Sequence, residues 1–260
     1  MLLNAFFKTF ENLNNSITNK LKNIYKNSNF YEKKISKTFV AEFQYKPSPY
    51  LLSSLINYQN KKYKIDELDF ITIWEKKSQS KEFKKLNNFF WFFSLDLKSS
   101  RKLVQEVILG WIKKNEKFKK ESWEFDITAK RIISWLSNHQ LSYGASNKEY
   151  RLKFDYMIQK QTNHLINEIK NSKNLENKIV GCSAIILAGL SYKIHKIYLN
   201  VGLDFLKKII KYLIDNKGFS KSRNIKQQIF YLKYFILIRE WFKEAQVEIP
   251  EHVNETIYYL

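Results

Sequence analysis

The chain has one cysteine, three prolines and six glycines in 260 residues. A single cysteine excludes an intrachain disulfide and a cysteine-based metal site. Cys182 stands in "IVGCSAIILAGL" among small apolar neighbours, the setting of a buried, inert thiol rather than a nucleophile. So little glycine and proline disfavours a sandwich or barrel, which needs many tight turns. The four histidines, His139, His164, His195 and His252, never pair with one another or with cysteine at ligand spacing, which argues against a metal centre. GxGxxG, GxxxxGK[ST] and GxSxG are absent, so nucleotide-loop and α/β-hydrolase chemistry have no support and no cofactor is implied. Acidic residues are the scarce charge, 25 Asp+Glu against 45 Lys+Arg, for a formal net charge of +20. A field of that size attracts polyanions such as acidic polysaccharide, nucleic acid or an anionic membrane surface; a lysine-rich solvated surface is the plainer account. No nucleic-acid-binding motif is present and the basic residues are dispersed, which weighs against nucleic acid. Long apolar runs are missing as well: "AIILAGL" is bracketed by Lys178 and Lys193, and no transmembrane segment is expected. "MLLNAFFKTFENLNN" lacks the basic n-region and clean cleavage site of an export signal, which leaves the compartment open.

Helical periodicity is what the chain has in abundance. With 44% hydrophobic and 16% aromatic residues it has the material for a core. Residues 2–27 place Leu3, Phe6, Phe10, Leu13, Ile17, Leu21 and Ile24 at helical spacing, predicting an amphipathic N-terminal unit over 1–36. Residues 37–75 carry Pro47, Pro49 and the turn "QNKK". They read as an extended segment with a short hairpin, Leu55–Tyr58 against Tyr63–Ile65. From residue 81 helix follows helix. "KEFKKLNNFFWFFSLDL" reads as one, and "SSRKLVQEVILGWIKKN" as the next, capped by Ser99 or Ser100. Asp126 is placed to cap "DITAKRIISWLSNHQL", and Ser146 with Glu149 has capping-box spacing ahead of a long helix. Further runs cover 177–193, 197–215, 224–245 and 251–260. The fold class expected is all-α, an array of antiparallel helix pairs over 37–260, and the lack of a strict repeat argues against a TPR or HEAT solenoid. The chain stops at "NETIYYL" inside an apolar helical pattern, so a downstream portion is expected.

Three stretches carry candidate chemistry. In "WEFDITAKRIISWLSNHQ", Arg131 and Trp135 are four residues apart and share a helix face. They serve either as core residues or as the lining of a groove that stacks sugar rings and pairs acidic groups, for which a guanidinium fork is suited. In "NNFFWFFSLDL" five consecutive aromatics cannot all face inward on one helix, so at least one of Phe89, Phe90, Trp91, Phe92 and Phe93 should reach a groove or an interface, with Trp91 the candidate for the groove and bulky core filling the commoner role. In "KGFSKSRNIKQQ", Lys221 and Arg223 precede a helix whose first turn holds Asn224 and Gln227, with Ser222 as a possible cap. A basic loop ahead of free helix N–H groups makes a coherent anion site, and a solvated turn is the alternative.

The order of these pieces resembles the N-terminal helical domain of heparinase II/III-like proteins, polysaccharide lyases built from an incomplete (α/α) toroid followed by a β-sandwich domain. The matching stretches are "FFWFFSLDL", "WEFDITAKRIISWL", "CSAIILAGLSY" and "GFSKSRNIKQQIFYLKYFILIREW", in order over roughly residues 50–260. The resemblance implies a toroid that binds acidic polysaccharide and, when complete, cleaves it by β-elimination. A non-catalytic helical scaffold binding anionic polymers or a partner protein is the alternative. It further implies that Asn177 and Arg223 neutralise a uronate carboxylate, and that Trp91, Arg131, Trp135, Lys221, Arg223 and Gln227 line the substrate groove. The sequence departs from the family pattern where that pattern carries its proton-transfer groups. Glu176 and Asn177 stand at the family's Asn-His pair, Ser220 at its loop histidine, Ile225 at its proline and Gln227 at its tyrosine. Tyr231 and Tyr234 lie further along the helix. The family's β-sandwich lies outside these residues, and the oligomeric state is not implied.

Overall fold

The computed structural model describes residues 17–18, 20–39, 41, 43–56, 81–192, 196–215 and 217–260. Among them the protein is all-α. The helices are α1 (Asn29–Ile35), α2 (Pro49–Ile56), α3 (Lys81–Asn87), α4 (Arg101–Asn115), α5 (Phe125–Ser137), α6 (His139–Ser142), α7 (Lys148–Glu168), α8 (Leu175–Ser191), α9 (Ile197–Leu213), α10 (Ile225–Glu244) and α11 (Glu251–Tyr259). A 3-10 turn over Phe90–Ser94 joins α3 to α4.

The hub is α8. Every residue from Ile179 to Ser191 is buried, and α5, α7, α9 and α10 pack around it. A helix buried on all sides needs small residues where neighbours come closest. A Cβ on Gly189 would stand 2.4 Å from the Leu199 backbone nitrogen, and one on Gly202 of α9 would stand 2.7 Å from Ile186. Against this helix α9 presents Leu199, Gly202, Leu206, Ile209 and Leu213, a stripe at three- and four-residue intervals.

The aromatic run resolves differently from one continuous helix. The α3 helix stops at Asn87, Phe89 takes a left-handed φ of 58°, and the 3-10 turn follows. Breaking the helix there turns Phe89, Phe90, Phe92 and Phe93 all inward, which a single helical face could not do. Trp91 alone is half-buried, its indole N–H donating to the Leu86 carbonyl at 3.2 Å.

Helix starts follow caps, with some shifts of register. Ser100 caps α4, accepting from Leu103 N. Asp126 does not cap α5. That helix begins one residue earlier, at Phe125, which leaves Asp126 inside the first turn, 3.7 Å from Lys130. Asn147 rather than Ser146 caps α7, and Asn224 rather than Ser222 caps α10, because the asparagine oxygens lie in reach of Tyr150 N and Lys226 N. In the segment expected to be extended, residues 43–48 are non-helical but Pro49–Ile56 forms α2, its proline in the first-turn position where a missing N–H costs nothing. The rest of the expected hairpin, from residue 57, and the N-terminal helix up to residue 16 lie outside the described residues. Residues 20–26 are helical, with Leu21 and Ile24 exposed. No described helix is long and apolar enough to cross a membrane.

Candidate anion-binding site

The connection from α9 to α10 is a closed, braced loop. Ile214 and Ser220 form an isolated antiparallel bridge, Lys221 N donates to Leu213 O at 2.7 Å, and Asp215 N donates to Phe219 O at 2.8 Å. Inside it, Asp215 Oδ1 accepts from Lys217 N at 2.8 Å and from Phe219 N at 3.0 Å. These two backbone donors, with a smaller contribution from Arg223, hold its carboxyl below the usual carboxylate range. Gly218 sits at φ +81°, in the left-handed region that this turn requires and a Cβ would resist.

Past the turn the chain is fixed by side chains. Ser220 Oγ donates to Ser222 O, Gln228 Nε2 donates to the same carbonyl at 2.9 Å, and Ser222 Oγ donates to Gln227 Oε1 at 2.6 Å. Gln227 therefore braces the loop. Lys221 Nζ donates to the Lys211 carbonyl near the C-terminus of α9, a favourable place for a cation. Arg223 is exposed and makes no hydrogen bond among the described residues. Its guanidinium therefore stands ready just before the first turn of α10.

The first turn of α8 faces α10 rather than the loop itself. Asn174 caps it by accepting from Asn177 N at 3.0 Å, and Asn177 is half-buried. Packing of α8 against α10 brings Glu176 within electrostatic reach of Tyr231, whose ring is almost fully buried. Burial first, and the Glu176 charge second, raise the Tyr231 phenol. A phenol so raised stays protonated at neutral pH, so it could give a proton but not act as a base.

The other residues expected to line the groove do not join this region. Arg131 and Trp135 are both 0% exposed. Trp135 packs edge-on against Phe89 and Trp111, and Trp91 stacks on Phe89 from its other side. The Arg131 guanidinium lies 3.9 Å from the Trp111 ring centroid. Its Nε donates to Gln161 Oε1 at 2.7 Å, Nη1 to Asn87 O at 2.7 Å and Ser122 O at 3.0 Å, and Nη2 to Thr128 Oγ1 at 3.2 Å. All these acceptors are neutral. Burial without a carboxylate partner pushes its pKa well down. The shared helix face of Arg131 and Trp135 is real, but it points into the core, where the arginine ties α3, α5, α7 and the turn at Ser122 together.

Sequence reasoning passed over a second buried polar set on α7. Lys160, 0% exposed, pairs with Glu32 and donates to Glu116 O. His164 Nε2 lies 2.8 Å from Trp123 O, which can only accept, so that nitrogen carries the hydrogen; Nδ1 then accepts from Tyr31 Oη at 2.7 Å. Burial, reinforced by Lys26, lowers the His164 pKa to about 3. These contacts anchor α1, with its buried Tyr31 and Ile35, to the body of the protein. The only sequence signal was polar residues interrupting an apolar stripe, which solvated faces also produce. Among the described residues no group of three His, Cys, Asp or Glu side chains is placed to hold a metal. Comparison of the chain with family models, with curated proteins and with solved structures finds no match in any of the three.

Proposed function

We propose that this helical domain binds an acidic polysaccharide, with the α9–α10 loop as a point of contact for carboxylate or sulfate. The observation that carries the reading is Arg223, an exposed guanidinium without a hydrogen-bond partner among the described residues, held on a braced loop at the start of α10. Lys221 adds a second cation and Asn177 an amide from the neighbouring helix start. Arg131 and Trp135 support this function only from the core, by fixing the helices. The heparinase II/III-like resemblance favours a uronate polymer, and the formal charge of +20 favours any polyanion.

β-Elimination requires a neutralised carboxylate, a base for the C5 proton and an acid for the leaving oxygen. Arg223 and Asn177 suit the first role. Tyr231, protonated and beside Glu176, suits the last. Ser220 stands where the family pattern has histidine and spends its hydroxyl on Ser222 O, so the base has no evident occupant. The residues support binding further than turnover.

The test is a titration of labelled alginate with the full chain at low and moderate salt, repeated with Arg223→Gln and with the Lys221→Gln/Arg223→Gln pair. Binding should weaken with salt, and the double variant should lose about tenfold in affinity. Unchanged binding in the double variant removes the loop from the reading. A single-stranded oligonucleotide of equal charge that binds as tightly would replace polysaccharide selectivity with general polyanion attraction. Appearance of unsaturated uronate absorbance would add lyase activity.

A further inference from the structure

A second concave region lies at the opposite end of α8. Tyr192, which follows that helix, donates from its phenol to Asp155 Oδ1 at 2.7 Å, and Tyr143 donates to the other carboxylate oxygen at 3.1 Å. Above this buried carboxylate opens a cleft of about 670 Å³, within the usual range of small-molecule sites. Its floor is aromatic: Phe43 and Tyr143 meet edge to face with ring centroids 5.0 Å apart. Among the described residues of its lining, Lys46, Lys148 and Arg151 form the rim and Asp155 is the single carboxylate. Asp155 accepts from both tyrosines, and Lys46, Lys148 and Arg151 form no ion pair among the described residues.

Arg151 is the most telling of the three. Its guanidinium lies 5.3 Å from the Tyr143 ring centroid, and Nε donates to Ser146 Oγ at 3.2 Å. Those two contacts orient the planar group and leave both terminal nitrogens unengaged among the described residues. Two parallel N–H donors on a held plane match the two oxygens of a carboxylate or sulfate. Phe43 and Tyr143, 6% and 8% exposed, give the cleft an apolar base beneath that fork.

We infer that this cleft is a second saccharide subsite that takes an anionic pyranose ring, its carboxylate or sulfate held by the fork of Arg151 with Lys46 and Lys148 flanking. That the ligand is a sugar ring rests on the acidic-polysaccharide reading given above; the cleft itself supports the anionic group, through the Arg151 fork. The subsite is separate from the α9–α10 loop. The loop leads into α10, whose Tyr231 lies near Glu176 at the start of α8, and the cleft lies at the end of α8; 17 helical residues at about 1.5 Å each put those two ends about 25 Å apart. A short oligomer reaches only one of them, whereas a polymer reaches both.

The test is calorimetric titration of the full chain with a glucuronate trisaccharide, a sulfated trisaccharide lacking carboxylates, and a neutral glucose trisaccharide. Arg151→Gln, Lys148→Gln and Arg223→Gln are compared, with circular dichroism to confirm that each folds. All three side chains are exposed. One or both charged trisaccharides should bind, which identifies the anion, and the neutral one should not. Arg151→Gln should weaken that binding about tenfold, Lys148→Gln by less, and Arg223→Gln not at all. If Arg223→Gln abolishes trisaccharide binding and the cleft variants leave it intact, the cleft inference is overturned and the loop reading stands. If the cleft variants alone weaken both trisaccharide and polymer, the cleft inference holds and the loop reading falls. Equal affinity for the neutral trisaccharide would overturn the anionic assignment.

Discussion

Arg131 and Arg223 are the same residue type in two opposite settings. Arg131 is wholly enclosed, its guanidinium donating to four neutral oxygens and lying against an indole. Arg223 stands in solvent on a loop whose every brace is made by other residues. The first is a structural fastener, because removing it would leave acceptors stranded in low dielectric. The second adds almost nothing to the fold, so it is available for a ligand. The difference lies in what surrounds each charge. A buried cation has its donors spent on the protein, and an exposed one on an ordered loop has them in hand.

The contrast has measurable consequences, the largest in the interior. Arg131→Met keeps most of the aliphatic stem yet strands the Asn87 and Ser122 carbonyls and the Gln161 side-chain oxygen. Its stability in urea should fall by about 3 kcal/mol or more. A loss below about 1 kcal/mol would show that those acceptors find water or new partners, and would undo the fastener role.

Next comes acid sensitivity. His164 is held neutral in the fold, with a pKa of about 3, well below the 6.5 of an unstrained imidazole. The unfolded chain therefore binds the proton first. The stability this group contributes is complete above about pH 6.5 and is lost as pH falls from there towards 3, reaching about 2 kcal/mol by pH 5. Urea midpoints at pH 7.5 and pH 5 measure it, and His164→Gln should flatten the difference at the cost of lower stability at neutral pH. A wild-type midpoint that is flat across this interval would contradict the buried neutral tautomer.

The smallest effect belongs to the loop. Arg223→Gln should change stability by no more than about 0.5 kcal/mol, the range of an exposed substitution away from structural contacts. The same variant should still weaken polysaccharide binding. A clear loss of stability would instead make Arg223 a second fastener and take away its separation from Arg131.

Part of this was legible in the residues. Most helices from α4 onward follow from apolar spacing, and four of them start at a serine or asparagine cap, although the run from Asp126 to Leu141 breaks into α5 and α6 at Asn138. The buried thiol of Cys182 follows from its small apolar neighbours, and it is 0% exposed. The α9–α10 loop was recognisable from Gly218 and its basic flank. The aromatic run was misread as one helix, because nothing local announces that Phe89 will adopt a positive φ to turn four rings inward. The cap positions at Asn147 and Asn224 differ by one or two residues from the serines expected, since neighbouring polar residues compete for the same orphan N–H groups. The cleft at Phe43, Tyr143 and Arg151 had no sequence signature at all, because its floor and rim come from segments about a hundred residues apart.

By itself, then, the sequence determined the all-α class, most helical runs of the body and a strongly basic net charge. Those depend on local spacing and on summed charge, which survive without knowledge of contacts. Only the tertiary structure decided which cations face solvent. Periodicity places Arg131 and Trp135 on one side of a helix, but whether that side meets water or α7 depends on what packs there. The same packing placed Asp155 beneath two tyrosine hydroxyls and left Arg151 above them with its fork open.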